Sequence, residues 1–329
     1  MGRLVLALGL ALCAVVLLSL HAGLVFYGPQ KVWDAFADGQ SAEALIITTL
    51  RLPRTLIGLV AGAALGLSGL LMQSVTRNPV AEPGLLGVNS GAAFAVILCV
   101  IVLGGTGLAG LGIAAILGAL LTTALVFLIS MSSGGVGNPA TTLLAGFTVA
   151  ALTASFSQTL LLIDESALET LLFWLSGSFA DRPLHLLWLG APLLVVGVCG
   201  SLFLATALDV LRLDDASAQA VGLNVAAVRL SALTLAALLA AGTVAMAGPI
   251  MFLGLAAPHL ARLMAGNVLP STRQLIVLTT LTGANLAVAA DILARVVVAP
   301  GEAPMSAVLA LIGVPMLIHI LRRRKGLAN

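Results

Sequence analysis

The chain has 329 residues, of which 60% are hydrophobic and 9% charged, with a net charge of +2. Soluble chains are about a quarter charged, so a water-facing surface for a domain this size cannot be assembled here, and lipid is the fitting solvent. The weak charge, with no basic patch interleaved with aromatics, excludes nucleic acid as a partner.

Stretches free of Asp, Glu, Lys and Arg mark the helices, because a span needs about 20 apolar residues. They run over 4–30, 55–76, 83–163, 183–208, 230–261, 274–290 and 303–321. The first is longer than the usual signal-peptide core, and Leu12 before Cys13 does not suit lipoprotein cleavage, so it is read as one retained helix. The 83–163 stretch holds three helices, divided by Gly104-Gly105-Thr106-Gly107 and by Ser132 to Pro139. Gly248-Pro249 breaks 230–261 into a full helix to about 248 and a short one from about 250 to 265, since proline removes a helix hydrogen bond. The expectation is an all-α, polytopic membrane protein of about ten transmembrane helices in a single domain, 1–329. Cys13, Cys99 and Cys199 lie in apolar runs and are expected to be small core residues, not metal ligands or disulfides.

Orientation follows the lysines and arginines. With alternating helices and an inside N-terminus, the inside collects Arg3, Arg77, Arg212, Arg229, Arg262, Arg273 and the Arg322–Lys325 cluster. The outside receives Lys31, Arg51, Arg54, Arg182 and Arg295, together with acids such as Asp34, Asp38, Glu43, Asp164 and Asp181. Both termini are therefore expected in the cytoplasm. No phosphate-binding glycine loop followed by Lys-Ser/Thr is present, so the chain is not expected to be an enzyme and any ATP chemistry must come from elsewhere. Asp291 and Arg295 are the ionisable pair set well inside an apolar context, and no relay of carboxylates accompanies them. A gradient-driven secondary transporter is therefore the alternative class.

Several motifs carry specificity. Arg51-Leu52-Pro53-Arg54 opens a helix laddered by Gly58, Gly62 and Gly66, a spacing that suits close helix packing. Then come Arg77-Asn78-Pro79-Val80-Ala81-Glu82-Pro83-Gly84-Leu85-Leu86-Gly87, Gly248-Pro249 to Arg262, Ala290-Asp291 to Arg295, and Ala310-Leu311-Ile312-Gly313-Val314-Pro315. Glu82 is read as a turn stabiliser, His259 as a structural hydrogen-bonding group, and Trp174 and Trp188 as an interfacial belt.

This ordered set resembles the FecCD/BtuC family of permeases from iron–siderophore, haem and cobalamin ABC importers, over about residues 45 to 325. The run from Arg51 to Gly91 looks most like permeases for ferric catecholate siderophores. The resemblance implies a BtuC-like fold with an inverted repeat and an inner-membrane location. It implies a second permease subunit (a heterodimer favoured over a homodimer), two cytoplasmic ABC ATPases carrying ATP and Mg, and a periplasmic binding protein. This subunit would hold no cofactor or metal, and its cargo would be a ferric siderophore, with haem or cobalamin as the alternative.

Site residues follow from the same resemblance. Arg51, Arg54 and Arg295 would dock the binding protein, although each could be an interfacial anchor and Arg295 could pair internally with Asp291. The loop at about 208–229 would couple to the ATPase through Asp214, Asp215, Ala216, Ala218, Ala220 and Gly222, as a short helix, a glycine turn and a second short helix. Asn138, Pro139, Ala140 and Thr141 would form a cytoplasmic gate. Two departures are visible: Glu302-Ala303-Pro304-Met305-Ser306 replaces an acidic-Leu-Pro-x-Gly run, and Gly266 to Arg273 lacks the usual Asp-His-Arg.

Overall fold

The computed structural model describes residues 1–37, 39, 41–104, 107–132, 139–162, 165–266, 270–297, 303–311, 313 and 315. In chain order its helices are α1 (Gly2–His21), α2 (Pro29–Ala37), α3 (Ala42–Leu45), α4 (Leu52–Thr76), α5 (Val88–Leu103), α6 (Leu108–Ser132) and α7 (Pro139–Leu161). They continue as α8 (Glu165–Leu175), α9 (Leu187–Val210), α10 (Asp215–Ala220), α11 (Val225–Ala247), α12 (Leu253–Ala265) and α13 (Thr272–Val297). Further helical turns begin at Met305. The described residues are all-helical outside their turns, and seven helices among them are long and apolar enough to cross a membrane.

Local chemistry sets the helix ends. Asn224 Oδ1 accepts from Ala227 N at 3.0 Å to open α11, and Asp214 Oδ1 accepts from Ser217 N at 2.9 Å to open α10. At α13, Ser271 and Gln274 satisfy each other's backbone N–H groups in a reciprocal cap. Before α4 the chain widens into a π-helical turn, Ile46–Arg51, where Thr48 and Thr49 hydroxyls donate back to the carbonyls of Ala44 and Leu45.

α4 is the central element. Most of its side chains are buried, and it packs against α13, α11 and α12. Its glycine ladder explains how. A Cβ at Gly62 would collide with the Gly283 carbonyl and Ala287, one at Gly66 would stand 2.9 Å from the Thr279 carbonyl, and one at Gly69 would overlap the Gly254 carbonyl. The expected close packing is thus present, extended by one further glycine.

Two short helices each follow a break in the chain, and one of them, α12, packs against α4. α5 has 16 residues and α12 has 13, about 24 and 20 Å at 1.5 Å per residue, short of a hydrocarbon core of about 30 Å. α5 is preceded by the stretch 77–87, which holds one 3₁₀ turn at Pro83–Leu86, and α12 by non-helical chain at 248–252. Gly254, the second residue of α12, sits against Leu65, Gly69 and Pro83, so α12 begins beside the middle of α4 and not at its end. Both half-helices start after a left-handed residue, Gly87 at φ 75° and Phe252 at φ 67°. The Gly248-Pro249 break is therefore where the sequence places it.

Other expectations need correction. The 4–30 run is not one helix: α1 ends at His21 and α2 starts at Pro29, because Gly23, Gly28 and Pro29 interrupt the apolar run. Trp174 is no belt residue; it is 2% exposed in the core, whereas Trp188 is 80% exposed. Cys13 and Cys199 lie on exposed faces of α1 and α9, not in the core.

The packing yields a first prediction. Gly69→Ala forces α4 away from α12 and should destabilise the fold by about 1–3 kcal/mol, whereas Gly9→Ala, with open space around it, should be neutral. Thermal unfolding of the purified protein in detergent distinguishes the two.

Candidate functional site

Two of the three arginines expected to dock a partner, Arg54 and Arg295, converge on one buried carboxylate. Asp291 on α13 is 2% exposed and accepts from Arg54 Nε at 2.8 and 3.1 Å and from Arg295 Nε at 3.0 Å. Arg295 also donates to Ser19 Oγ at 2.7 Å and to the carbonyls of Ser19 and Ala22, tying α13 to the end of α1. Ser19 Oγ in turn shares a 2.6 Å hydrogen bond with Thr55 Oγ1 on α4. Arg51 donates to the carbonyls of Leu20, His21 and Val25, at 2.9, 2.7 and 2.6 Å, and lies 4.5 Å over the Tyr27 ring. Arg51, Arg54 and Arg295 are each 7% exposed. Every orphan carbonyl at the end of α1 thus finds a guanidinium, and the turn between α1 and α2 is pinned.

The inner cluster centres on Asp215. Its Oδ1 accepts from Arg77 Nη2 at 2.8 Å and from Arg229 Nη2 at 2.9 Å. Arg77 ends α4 in a left-handed conformation, φ 50°, and also donates to the carbonyls of Leu211 and Leu213. Asp209 accepts from Thr272 N and Oγ1 at 3.0 and 2.7 Å, joining α9 to α13, and Arg212 donates to the Pro270 carbonyl at 3.0 Å. The loop is thereby fastened to four long helices.

What it presents mixes small or apolar residues with the polar Arg212, Asp214, Ser217, Gln219 and Asn224. Ala216, Ala220 and Gly222 are exposed, Ala218 is buried, and Val221 and Leu213 stand exposed on either side. Gly222 has φ 85°, so the tight turn falls where expected. The second short helix does not form: after Asn224 the chain enters α11 directly. Asp214 is exposed, and hydrogen bonds from the Ser217 hydroxyl and backbone N–H hold its carboxyl below the usual range.

Of the gate residues, Asn138 lies outside the described residues. Pro139 is the first residue of α7, Ala140 is exposed and Thr141 half-buried. The neighbouring Thr142 shares a 2.7 Å hydrogen bond with Ser130, fixing the start of α7 to the end of α6. Glu302, the Asn267–Leu269 part of the departing loop and the Arg322–Lys325 cluster also lie outside the described residues.

Two features escape a reading by motif. Glu82 is not a local turn stabiliser alone, since its Oε2 accepts the Phe252 N–H at 3.3 Å, from 170 residues away. An apolar groove of about 520 Å³ lies between α5, α6 and α7, lined by Phe94, Leu98, Leu117, Leu121 and Val149 among others. The only sequence signal for the groove is the absence of charge along those helices.

Residues 11–323 match the model of the FecCD transport family, and the chain belongs to that family. It is 39% identical over 317 residues to the ferric enterobactin transport system permease protein FepD of Escherichia coli (strain K12), covering 96% of this chain and 93% of that one. It is 37% identical to the Fe(3+)-citrate import system permease protein YfmD of Bacillus subtilis (strain 168), covering 90% and 85%. Among solved structures, a metal-chelate type ABC transporter in an inward-facing conformation superposes with TM-score 0.85 at 31% identity, covering 98% of this chain and all of that one. The fold is that of a membrane-embedded ABC permease, and the chain is a transport component, not the catalytic one.

The Asp291 cluster gives the second prediction. Breaking a buried ion pair from one side costs about 3–5 kcal/mol because it strands uncompensated charge. Asp291→Ala strands both Arg54 and Arg295 and should lower the thermal midpoint well beyond Lys31→Ala, which removes an exposed pair with Glu43.

Proposed function

We propose that the chain forms one half of the path of an ATP-driven importer that carries a ferric siderophore across the bacterial inner membrane. A periplasmic binding protein delivers the cargo, and ATP and Mg act on two separate cytoplasmic ATPases. The observation that carries this reading is the braced 208–229 loop. Its base is fixed, its small residues Ala216, Ala220 and Gly222 allow close approach to a cleft in a partner subunit, and force applied there reaches α4, α9, α11 and α13. The similarity to FepD supports a catecholate chelate as cargo; haem and cobalamin are the alternatives within the family.

In this reading ten helices cross the membrane: α1, α4, α5, α6, α7, α9, α11, α12, α13 and the helix that begins at Met305. Both termini face the cytoplasm. The matched pair of half-helices, each opening after a left-handed residue, supports an inverted repeat relating α4–α7 to the segment from α11 onward. Asn138 to Thr141 act as the inner gate.

Docking through Arg51, Arg54 and Arg295 involves an exchange of partners. The three guanidinium groups share one buried carboxylate and several carbonyls. Their positive excess attracts acidic groups on the binding protein, which steer and orient the complex. The second permease subunit is a different chain, in keeping with siderophore systems that use two permeases.

The test is uptake into vesicles holding this chain with its partner permease and ATPase, supplied with binding protein and radioiron-loaded enterobactin, citrate, a hydroxamate siderophore or haemin. Uptake of the catecholate complex is expected, falling to the passive background when the ATPase is replaced by a hydrolysis-dead form. Uptake that survives this replacement and follows a proton gradient would instead establish a secondary transporter.

A further inference from the structure

A short non-helical segment, Arg77 to Glu82, is fastened at one end to the loop of the importer reading and at the other to the break before α12. At its start Arg77 reaches into the coupling loop, donating to Leu211 O at 2.9 Å, to Leu213 O, and to Asp215 Oδ1 at 2.8 Å. At its end Glu82 accepts the Phe252 N–H at 3.3 Å, and Pro83 lies against Gly254 at the start of α12. Between them the segment is folded, not slack. Ala81 N donates to the Asn78 carbonyl at 3.1 Å, Val80 N donates to Asn78 Oδ1 at 3.2 Å, and Ala81 is buried.

We propose that Arg77 to Glu82 is a strap that transmits movement of the coupling loop to the break at Gly248–Phe252, with Arg77 and Glu82 as positioning residues. The inference rests on the importer reading of the loop. Arg77 holds a carboxylate and two carbonyls at once, so a displaced loop draws the strap with it in place of breaking one weak bond. Asp215 is shared with Arg229, which is 2% exposed on α11. The far end of α11 is Ala247, on the other side of the same break. The break is therefore held between two levers that meet at one carboxylate: the strap from α4 and the length of α11. Phe252 is a non-glycine residue at φ 67°, where a shift in backbone dihedrals changes the start of α12 directly.

The two ends of the strap are links in series, with a signature: cutting either end removes the strap's share of the transmission and leaves that of α11, and cutting both does no more. The assembled permease–ATPase complex in nanodiscs, with Cys13, Cys99 and Cys199 replaced by Ala, would carry Met251→Cys, a half-exposed position in the break. The readout is the rate of modification by a water-soluble maleimide, with and without vanadate-trapped nucleotide. In the parent the two rates should differ about threefold or more. Arg77→Ala, Glu82→Ala and the double variant should all lose the same large part of the nucleotide response at Met251→Cys, measured below the unfolding temperature of each. Arg77→Lys and Glu82→Gln, which keep a donor and an acceptor, should restore part of the response and decide the matter if an alanine variant does not assemble. A full vanadate response in either single variant, or additive losses in the double, would overturn the strap. So would a parent that hydrolyses ATP with no response at the break. A parent complex without ATP hydrolysis would contradict the importer reading instead.

Discussion

Inside a bilayer no water reaches the backbone, so every N–H and C=O that leaves a helix must find a partner within the protein. This protein leaves the helix twice beside the middle of α4, and its central packing answers that demand. Gly248 N donates to Val244 O at 2.9 Å, Pro249 has no N–H to satisfy, and the Pro249 carbonyl faces Gly177 and the Ser306 hydroxyl. Phe252 N reaches Glu82. The Gly248–Pro249 turn packs on Trp174 and Gly177, the start of α12 presses on α4 where Gly69 admits the Gly254 backbone, and Gly62 and Gly66 admit α13 in the same way.

From that crossing the two ends of the molecule take different characters. At one end the last turn of α1, the start of α4 and the end of α13 are bound by Arg54 and Arg295 on Asp291 and by Arg51 and Arg295 on a row of carbonyls. The cluster carries an excess of positive charge, so it is held together by hydrogen bonds as much as by ion pairing. Such a cluster specifies geometry more than it adds stability, because desolvating these groups offsets much of the Coulomb gain. At the other end Asp215 gathers Arg77 and Arg229 under a loop whose exposed surface mixes Ala216, Ala220, Val221 and Gly222 with the polar Asp214, Ser217 and Gln219. One end suits recognition by charge and the other suits close mechanical contact.

The spans were legible as charge-free runs, and the second break was legible because Gly248-Pro249 forbids a continuous helix. The α1–α2 boundary was harder. Absence of charge merges neighbouring apolar helices, and Gly23, Gly28 and Pro29 were the signals to weigh against it. Trp174 reads as an interface residue by type, but α8 folds inward and its carbonyl packs on Gly248. The Arg295–Asp291 pair was visible at helical spacing. The Arg54–Asp291 pair, 237 residues apart, had no local signature. Glu82 was least legible, since its partner is a backbone N–H that no residue type announces. The coupling loop was found through a family motif, but its anchorage by Arg77 and Arg229 follows only from the fold.

The central claim is that the chain breaks at Gly248–Phe252 and that α12 starts against Gly69 of α4. An experimental density map of the protein in nanodiscs tests it most directly. The account predicts non-helical backbone from Gly248 to Phe252, α12 starting beside Gly69, and the Glu82 side chain at the Phe252 amide. A continuous helix running from Val225 through Ala265, or a Glu82 side chain turned away from Phe252, would contradict it.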